Sequence, residues 1–338
     1  MNTESGLKER CQKILEENGG RVADRASRIL LEDPILKDLR PPLDFISKNW
    51  REPLTPSMMS LACEAVGGSP KETHETSLAM SLMHLCFYVW DDMVDKASFK
   101  SFRPTLFGQF GEGPALIIGG LASAKAFSIL NRMNVDVIKR QEINKLVWEL
   151  LTKMSQAEAA NLRLRKHGNV SYTKKFSVIK MEASDLETCT KIGAILGNGS
   201  KVEIKHLANY GRFLGIILEL WKSFYVTTNL TMELAEKLKN GAYPFLLLWA
   251  KEHSEKLRKK IEELTRNNSI KPSEIREIVE YVLETNVIKH TKRNIRKFTN
   301  KAKTELAELT DNEATQKLRF LVVAQPQLFI ESLSLIQL

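Results

Sequence analysis

Three aspartates fall within five positions of "VWDDMVDKASFK" (89–100): Asp91, Asp92 and Asp95. They close a stretch that otherwise buries Leu82, Leu85, Phe87 and Val89 at helical spacing. On a helix Asp91 and Asp95 share a face one turn apart, with Asp92 beside them. Like charges so placed repel, and the pattern asks for a positive partner. A hard divalent cation suits it, since Mg²⁺ takes oxygen ligands and often bridges carboxylates to phosphates.

The rest of the chain reads as the helices needed to hold that turn. Apolar residues recur at three- and four-residue intervals, and no run alternates like a strand. Gly, Pro, Asn and Ser clusters such as "GGSP" (67–70), "GEGP" (111–114), "KHGN" (166–169), "GNGS" (197–200) and "RNNSIKPS" (266–273) break the pattern. No shift in composition separates the segments, so residues 1–338 are expected to form one all-α bundle.

Bulk chemistry narrows the options. Hydrophobic residues make up 43% and charged residues 27%, an ordinary globular balance. Cys11, Cys63, Cys86 and Cys189 are too few and too scattered for a disulfide scaffold or a zinc site. The polar opening "MNTESGLKERCQKILEEN" does not read as a signal peptide, which implies a cytoplasmic protein. The apolar window 113–130 carries Lys125 and is short for a membrane span, so a buried core helix is expected there. The net charge of +9 favours anionic partners without naming one. Seven Lys/Arg residues between 289 and 303 form a solvated helix face or, less simply, a membrane-surface contact. No nucleic-acid motif accompanies them.

With its flanks, the aspartate motif becomes specific. "EAVGG" (64–68), "LMHL" (82–85), "DDMVD" (91–95), "FRPT" (102–105), "FGEG" (110–113) and "KIGAILG" (191–197) follow one another in order. In this series the chain resembles the trans-isoprenyl diphosphate synthases, the polyprenyl synthetase family, from about residue 40 to the C-terminus. The resemblance implies an isoprenoid-synthase-type helical bundle around a deep central cavity, and a homodimer. It implies that Asp91, Asp92 and Asp95 bind Mg²⁺ and, through it, an allylic prenyl diphosphate. The metal would act as a Lewis acid on the leaving diphosphate. The prenyl tail would run into an apolar tunnel, which Phe87 and Tyr88 either floor or border as ordinary core.

The departures from the family are as informative. Its second aspartate-rich motif corresponds to "GIILELWKSFYV" (215–226), where Lys222, Ser223 and Val226 take the aspartate positions. Its "GGKxxRP" reads "WREPLTP" (50–56), with Glu52 for the lysine and Pro53 and Thr55 for the arginines. The arginine pair after the first motif survives as Lys100 beside Ser101, and a Lys-Thr pair has become Met181-Glu182. One carboxylate cluster is kept and most cations for a second diphosphate are lost.

Lys222 has two readings: an ammonium that grips the diphosphate, or a salt bridge to the aspartates that closes the site. Glu219 and Glu182 are replacement ligands or structural carboxylates, and His84 reads as a satisfied core histidine. Two functions lead: an enzyme that transfers or ionises a prenyl diphosphate, and a non-catalytic subunit paired with a competent prenyl synthase. A protein that merely retains the fold is the third.

Overall fold

The computed structural model describes residues 4–100, 103–166, 171–229, 231–266 and 270–334. Ser101 and Phe102, most of "KHGN" and residues 267–269 lie outside them. The helices run α1 (Glu4–Leu15), α2 (Arg21–Arg28), α3 (Arg40–Asn49), α4 (Leu54–Ala65) and α5 (His74–Asp95). After α5 come two-residue strands β1 (Phe99–Lys100) and β2 (Arg103–Pro104), then α6 (Leu106–Phe110), α7 (Glu112–Asn131) and α8 (Val137–Lys166). The chain continues through α9 (Tyr172–Glu182), α10 (Ser184–Leu196), α11 (Lys201–Asn229), α12 (Thr231–Lys239) and α13 (Phe245–His253). It closes with α14 (Glu255–Arg266), α15 (Pro272–Glu284), α16 (Val287–Ala307) and α17 (Glu313–Ser334). The fold is all-α. Among the described residues β1 and β2 form the one strand ladder, antiparallel and too short to leave a period in the sequence.

Two apolar cores flank the site. One gathers Met80, Leu82, Leu85 and Val89 of α5 with Ile118 and Ala122 of α7. The other gathers Leu214, Ile217 and Leu220 of α11 with Ile295 and Phe298 of α16 and with α13. α10 serves both, giving Ile192 and Cys189 to the first and Leu186 and Ala194 to the second. That placement demands small residues. A methyl on Gly193 would stand 2.2 Å from the Met59 carbonyl of α4, and one on Gly211 of α11 would stand 2.3 Å from the Leu186 carbonyl. Gly193 of "KIGAILG" therefore serves helix packing, while Gly197 caps the end of α10.

One expectation needs correction. The 113–130 window is not a buried core helix. α7 buries Ala115, Ile118, Ala122 and Ala126 against α5 but leaves Leu116 and Ile117 about half exposed. An apolar composition on both faces cannot tell which face has a neighbour. α16 buries Val287, Ile295, Phe298 and Ala302 and turns Lys289, Arg293, Arg296, Lys297, Lys301 and Lys303 outward.

Candidate functional site

α5 delivers the aspartates at its C-terminal end, the wrong end for carboxylates. There the helix dipole is negative, so each acidic charge is opposed by the backbone as well as by its neighbours. The helix stops because Lys96 adopts φ 52°, ψ 36°, and the amides of Lys96 and Ala97 bond back to the Asp92 carbonyl. The reversed chain then forms the β1–β2 hairpin, which brings Lys100 back over the last turn of α5. Its ammonium bridges Asp91 Oδ2 at 2.6 Å and Asp92 Oδ1 at 2.5 Å. Thr105 steadies the hairpin exit, donating to the Ala97 carbonyl at 2.6 Å and accepting from Gly108 N at 2.8 Å.

Asp95 is held differently. One carboxylate oxygen is paired with the Arg165 guanidinium at the end of α8, and the other with Lys237 Nζ of α12 at 2.9 Å. Arg165 also donates to the Val94 carbonyl at 3.1 Å, and Asn240 donates to the Asp95 carbonyl at 2.9 Å. The sequence groups Asp95 with Asp91 and Asp92 as a metal ligand, yet both its oxygens are engaged by cations. Asp92 is fully buried, and its second oxygen, Oδ2, has no hydrogen-bond partner.

The electrostatics split the cluster. Burial drives the Asp92 carboxyl up to about 6, further raised by Asp91 and Asp95 and only partly offset by Lys100. Burial also pushes Asp91 up, but Lys100, Lys222 and Lys237 together bring it well below the usual carboxylate range. Lys100 is largely but not fully buried, and the two aspartates hold its ammonium well above an ordinary lysine. Neighbouring carboxylates thus differ sharply in proton affinity, a pattern that clusters at functional sites.

Two cavities open on this turn. The polar one, about 780 Å³ with its open mouth, is lined by Asp91, Asp95, Arg165, Lys175, Lys222 and Lys237, among others. The apolar one, about 1770 Å³ on the same measure, takes in Phe87, Tyr88, Leu116, Leu151 and Met154. Asp91, Glu182, Glu219 and Lys222 border both. Phe87 and Tyr88 are half-buried walls here, with Lys100 Nζ 5.2 Å from the Tyr88 ring centroid.

Across the cavity, α11 presents Lys222 and Glu219. The structure does not pair Lys222 with the aspartates. Its Nζ lies 3.8 Å from Glu219 Oε2, its side chain is 56% exposed to the cavity, and Lys100, Arg165 and Lys237 pair the aspartates instead. Glu219 and then Asp91 raise the Lys222 pKa, and burial raises that of Glu219. Ser223 accepts from Leu246 N at 2.9 Å, fixing the start of α13, and Val226 is buried; both still line the polar cavity but bring it no carboxylate. Glu182 accepts from Asn161 Nδ2 at 3.2 Å, and Asn161 in turn accepts from Lys175 Nζ at 2.7 Å. His84 is hydrogen-bonded, as a satisfied histidine is, but it lines the cavity.

Sequence reasoning missed Arg165, Lys175 and Lys237. The basic run "RLRK" at the end of α8 was a signal of sorts, since cations favour a helix C-terminus. Nothing local marks Lys237, which meets Asp95 from 142 residues away.

Known proteins frame this geometry. The chain is 29% identical over 168 residues to a short chain isoprenyl diphosphate synthase of Methanothermobacter thermautotrophicus, covering 49% of this chain and 51% of that one. It is 26% identical over 226 residues to a putative geranylgeranyl pyrophosphate synthase of Arabidopsis thaliana, covering 62% and 63%. The chain thus spans about half to two-thirds of the length of these relatives. Among solved structures, geranylgeranyl pyrophosphate synthetase from Pyrococcus horikoshii superposes with a TM-score of 0.83 at 20% identity, over 95% of this chain and 98% of that one. A polyprenyl synthase from Caulobacter crescentus, complexed with calcium and isoprenyl diphosphate, gives 0.82 at 16% identity over 94% and 97%. The polyprenyl synthetase sequence profile matches residues 47–282, well over half of the molecule. The chain belongs to the polyprenyl synthetase family.

Proposed function

We propose that the protein is an enzyme that binds one allylic prenyl diphosphate between α5 and α11 and acts on it by prenyl transfer or ionisation. The observation that carries this reading is the shared border of the two cavities. Asp91, Glu219 and Lys222 face the polar and the apolar space at once, so a charged head and a long hydrocarbon tail fit together. Lys222 and Lys175 offer ammonium groups to the phosphates, and the walls at Phe87, Leu151 and Met154 receive the tail.

The site also suits Mg²⁺. Its donors are hard carboxylate oxygens, and Asp92 Oδ2 is a buried oxygen without a partner. Asp91 and Asp92 would hold the ion in place of the Lys100 ammonium that bridges them, and Asp95 would join them only by exchanging Arg165 or Lys237 for it. When bound, the metal supplies Lewis-acid stabilisation of the departing diphosphate. Lys222 stabilises negative charge on the phosphates from the facing wall, and the apolar cavity excludes water from the tail.

The alternative is a non-catalytic subunit of a heteromeric prenyl synthase. One observation favours it: all three aspartates already carry internal counter-cations. In either case we infer that the open side of α7 and α8 meets another subunit, first of all a second copy of this chain. Leu116, Ile117 and Trp148 expose 49–63% of their surface there, and Trp148 lies three residues from cavity-lining Leu151.

The deciding experiment incubates the protein with Mg²⁺ and geranyl, farnesyl or geranylgeranyl diphosphate, each with and without isopentenyl diphosphate. Mass spectrometry reads the products and calorimetry the binding. Binding with turnover of the allylic substrate supports the enzyme. Binding without turnover supports the subunit, and no binding rejects both. Sedimentation of the parent and of a Trp148→Glu variant tests the proposed interface.

A further inference from the structure

The aspartates are not the only titratable cluster on the apolar cavity. His84 lies on the same face of α5, two turns before Asp91, or roughly 10 Å by helical rise. Its Nδ1 stands 2.8 Å from Thr55 Oγ1 and 3.6 Å from Glu52 Oε2, and its Nε2 stands 3.2 Å from Asp185 Oδ2. Glu52 is fixed in place, accepting from the amides of Leu54 at 2.7 Å and Thr55 at 3.2 Å as α4 begins. Cys189 Sγ approaches Asp185 Oδ1 at 3.9 Å. Burial opposes protonation of His84, but Asp185, Glu52 and Glu219 outweigh it and the opposing Lys222, so the imidazole holds its proton more tightly than usual.

The charged groups around this pocket are therefore Glu52, Asp185 and Glu219, against the His84 imidazolium and Lys222. A second diphosphate would bring its charge against fixed carboxylates, and like charges in contact are strongly disfavoured. A neutral hydroxyl meets no such penalty. It can donate to a carboxylate that His84 already aims, while the adjoining apolar wall accepts its carbon skeleton.

We propose that the end of the apolar cavity lined by His84 and Asp185, with Glu52 and Thr55 behind His84, is an acceptor subsite for an alcohol, and that Asp185 takes the acceptor's proton. This rests on the reading that an allylic diphosphate is bound between α5 and α11. The hydroxyl oxygen attacks C1 of the prenyl group and forms the new C–O bond. The bond from C1 to the diphosphate oxygen breaks, and its electron pair leaves with the diphosphate. The hydroxyl proton passes to the Asp185 carboxylate and then to solvent. The products are a prenyl ether and diphosphate; with water in place of the alcohol, the product is the prenol. His84 is a positioning residue that holds Asp185 through Nε2.

The test uses the full chain with Mg²⁺ and farnesyl diphosphate in ¹⁸O-enriched water, with 1-butanol or with isopentenyl diphosphate added. Expected are butyl farnesyl ether, farnesol that carries ¹⁸O, and no elongated diphosphate. Asp185→Asn should lower kcat about a hundredfold while the KM for farnesyl diphosphate holds. Calorimetry on the Glu52→Gln/Asp185→Asn double variant, checked for folding by circular dichroism, should show tighter binding of isopentenyl diphosphate than the parent. An elongated product overturns the proposal. So do farnesol without ¹⁸O, which marks attack at phosphorus, and bound farnesyl diphosphate that yields neither ether nor prenol. If farnesyl diphosphate does not bind at all, the underlying reading fails and takes this one with it.

Discussion

The two walls of the cavity carry charge in opposite ways. On α5, Asp91, Asp92 and Asp95 are matched by cations from β1, α8 and α12, up to 142 residues away in the chain. On α11, Glu219 and Lys222 answer each other three residues apart, at a loose 3.8 Å, in contact with the cavity. Charge on the first wall is part of what holds four elements together. Charge on the second can turn toward a ligand at little cost to the fold. Changes on α5 should therefore register mainly in stability, and changes on α11 mainly in binding.

The sharpest break of that contrast is Lys100→Met. It strips the ammonium from between Asp91 and Asp92, and removing one partner of a buried pair costs about 3–5 kcal/mol. Denaturant unfolding should show this loss, and Mg²⁺ should recover part of it by replacing the missing charge. A midpoint equal to the parent's would mean that Lys100 carries no structural charge.

Next comes pH. The Asp92 carboxyl rises from 3.8 to about 6 on folding, so between these values the folded state binds the extra proton. Its contribution to stability is therefore greatest below pH 4 and declines as pH rises to 6, by about 3 kcal/mol if fully expressed. Asp91, shifted downward, stays ionised through that window and does not cancel the slope. Thermal melts from pH 4 to 7 should show a shallower dependence for Asp92→Asn than for the parent. Parallel curves would contradict the burial argument.

On the facing wall, Lys222→Met should leave the melting temperature nearly unchanged, because a half-exposed ion pair contributes little. Affinity for an allylic diphosphate should fall about tenfold, the loss of one charge-assisted contact of roughly 1.5 kcal/mol. Should stability fall and affinity hold, the two walls would have exchanged roles.

The smallest effect concerns the tail. Replacing Phe87 and Tyr88 with Ala should improve binding of a prenyl diphosphate one isoprene unit longer by about 1 kcal/mol, through newly buried apolar surface. Titrating a series of tail lengths would show it. A parent and a variant with the same length preference would make the two rings ordinary core.

The helices and the family were legible from the residues alone. Periodicity of 3.6 residues is a local property, and the ordered motifs from "EAVGG" to "KIGAILG" survive as strings. The sequence placed Asp91, Asp92 and Asp95 on one face, because helix geometry dictates that without knowledge of neighbours. It also identified Lys100 and Lys222 as the cations worth watching, but not which of them meets the aspartates. That depended on the left-handed turn at Lys96 and a hairpin of two-residue strands, neither of which leaves a period to read.

Arg165 and Lys237 reach Asp95, and Asp185 reaches His84, through the packing of the bundle. These contacts join helices far apart in the chain. Their energy comes from desolvated charges finding one another after the apolar faces have chosen their partners. No window of sequence contains both halves of such a pair, so the charge balance of the site becomes visible only once the bundle has closed around it.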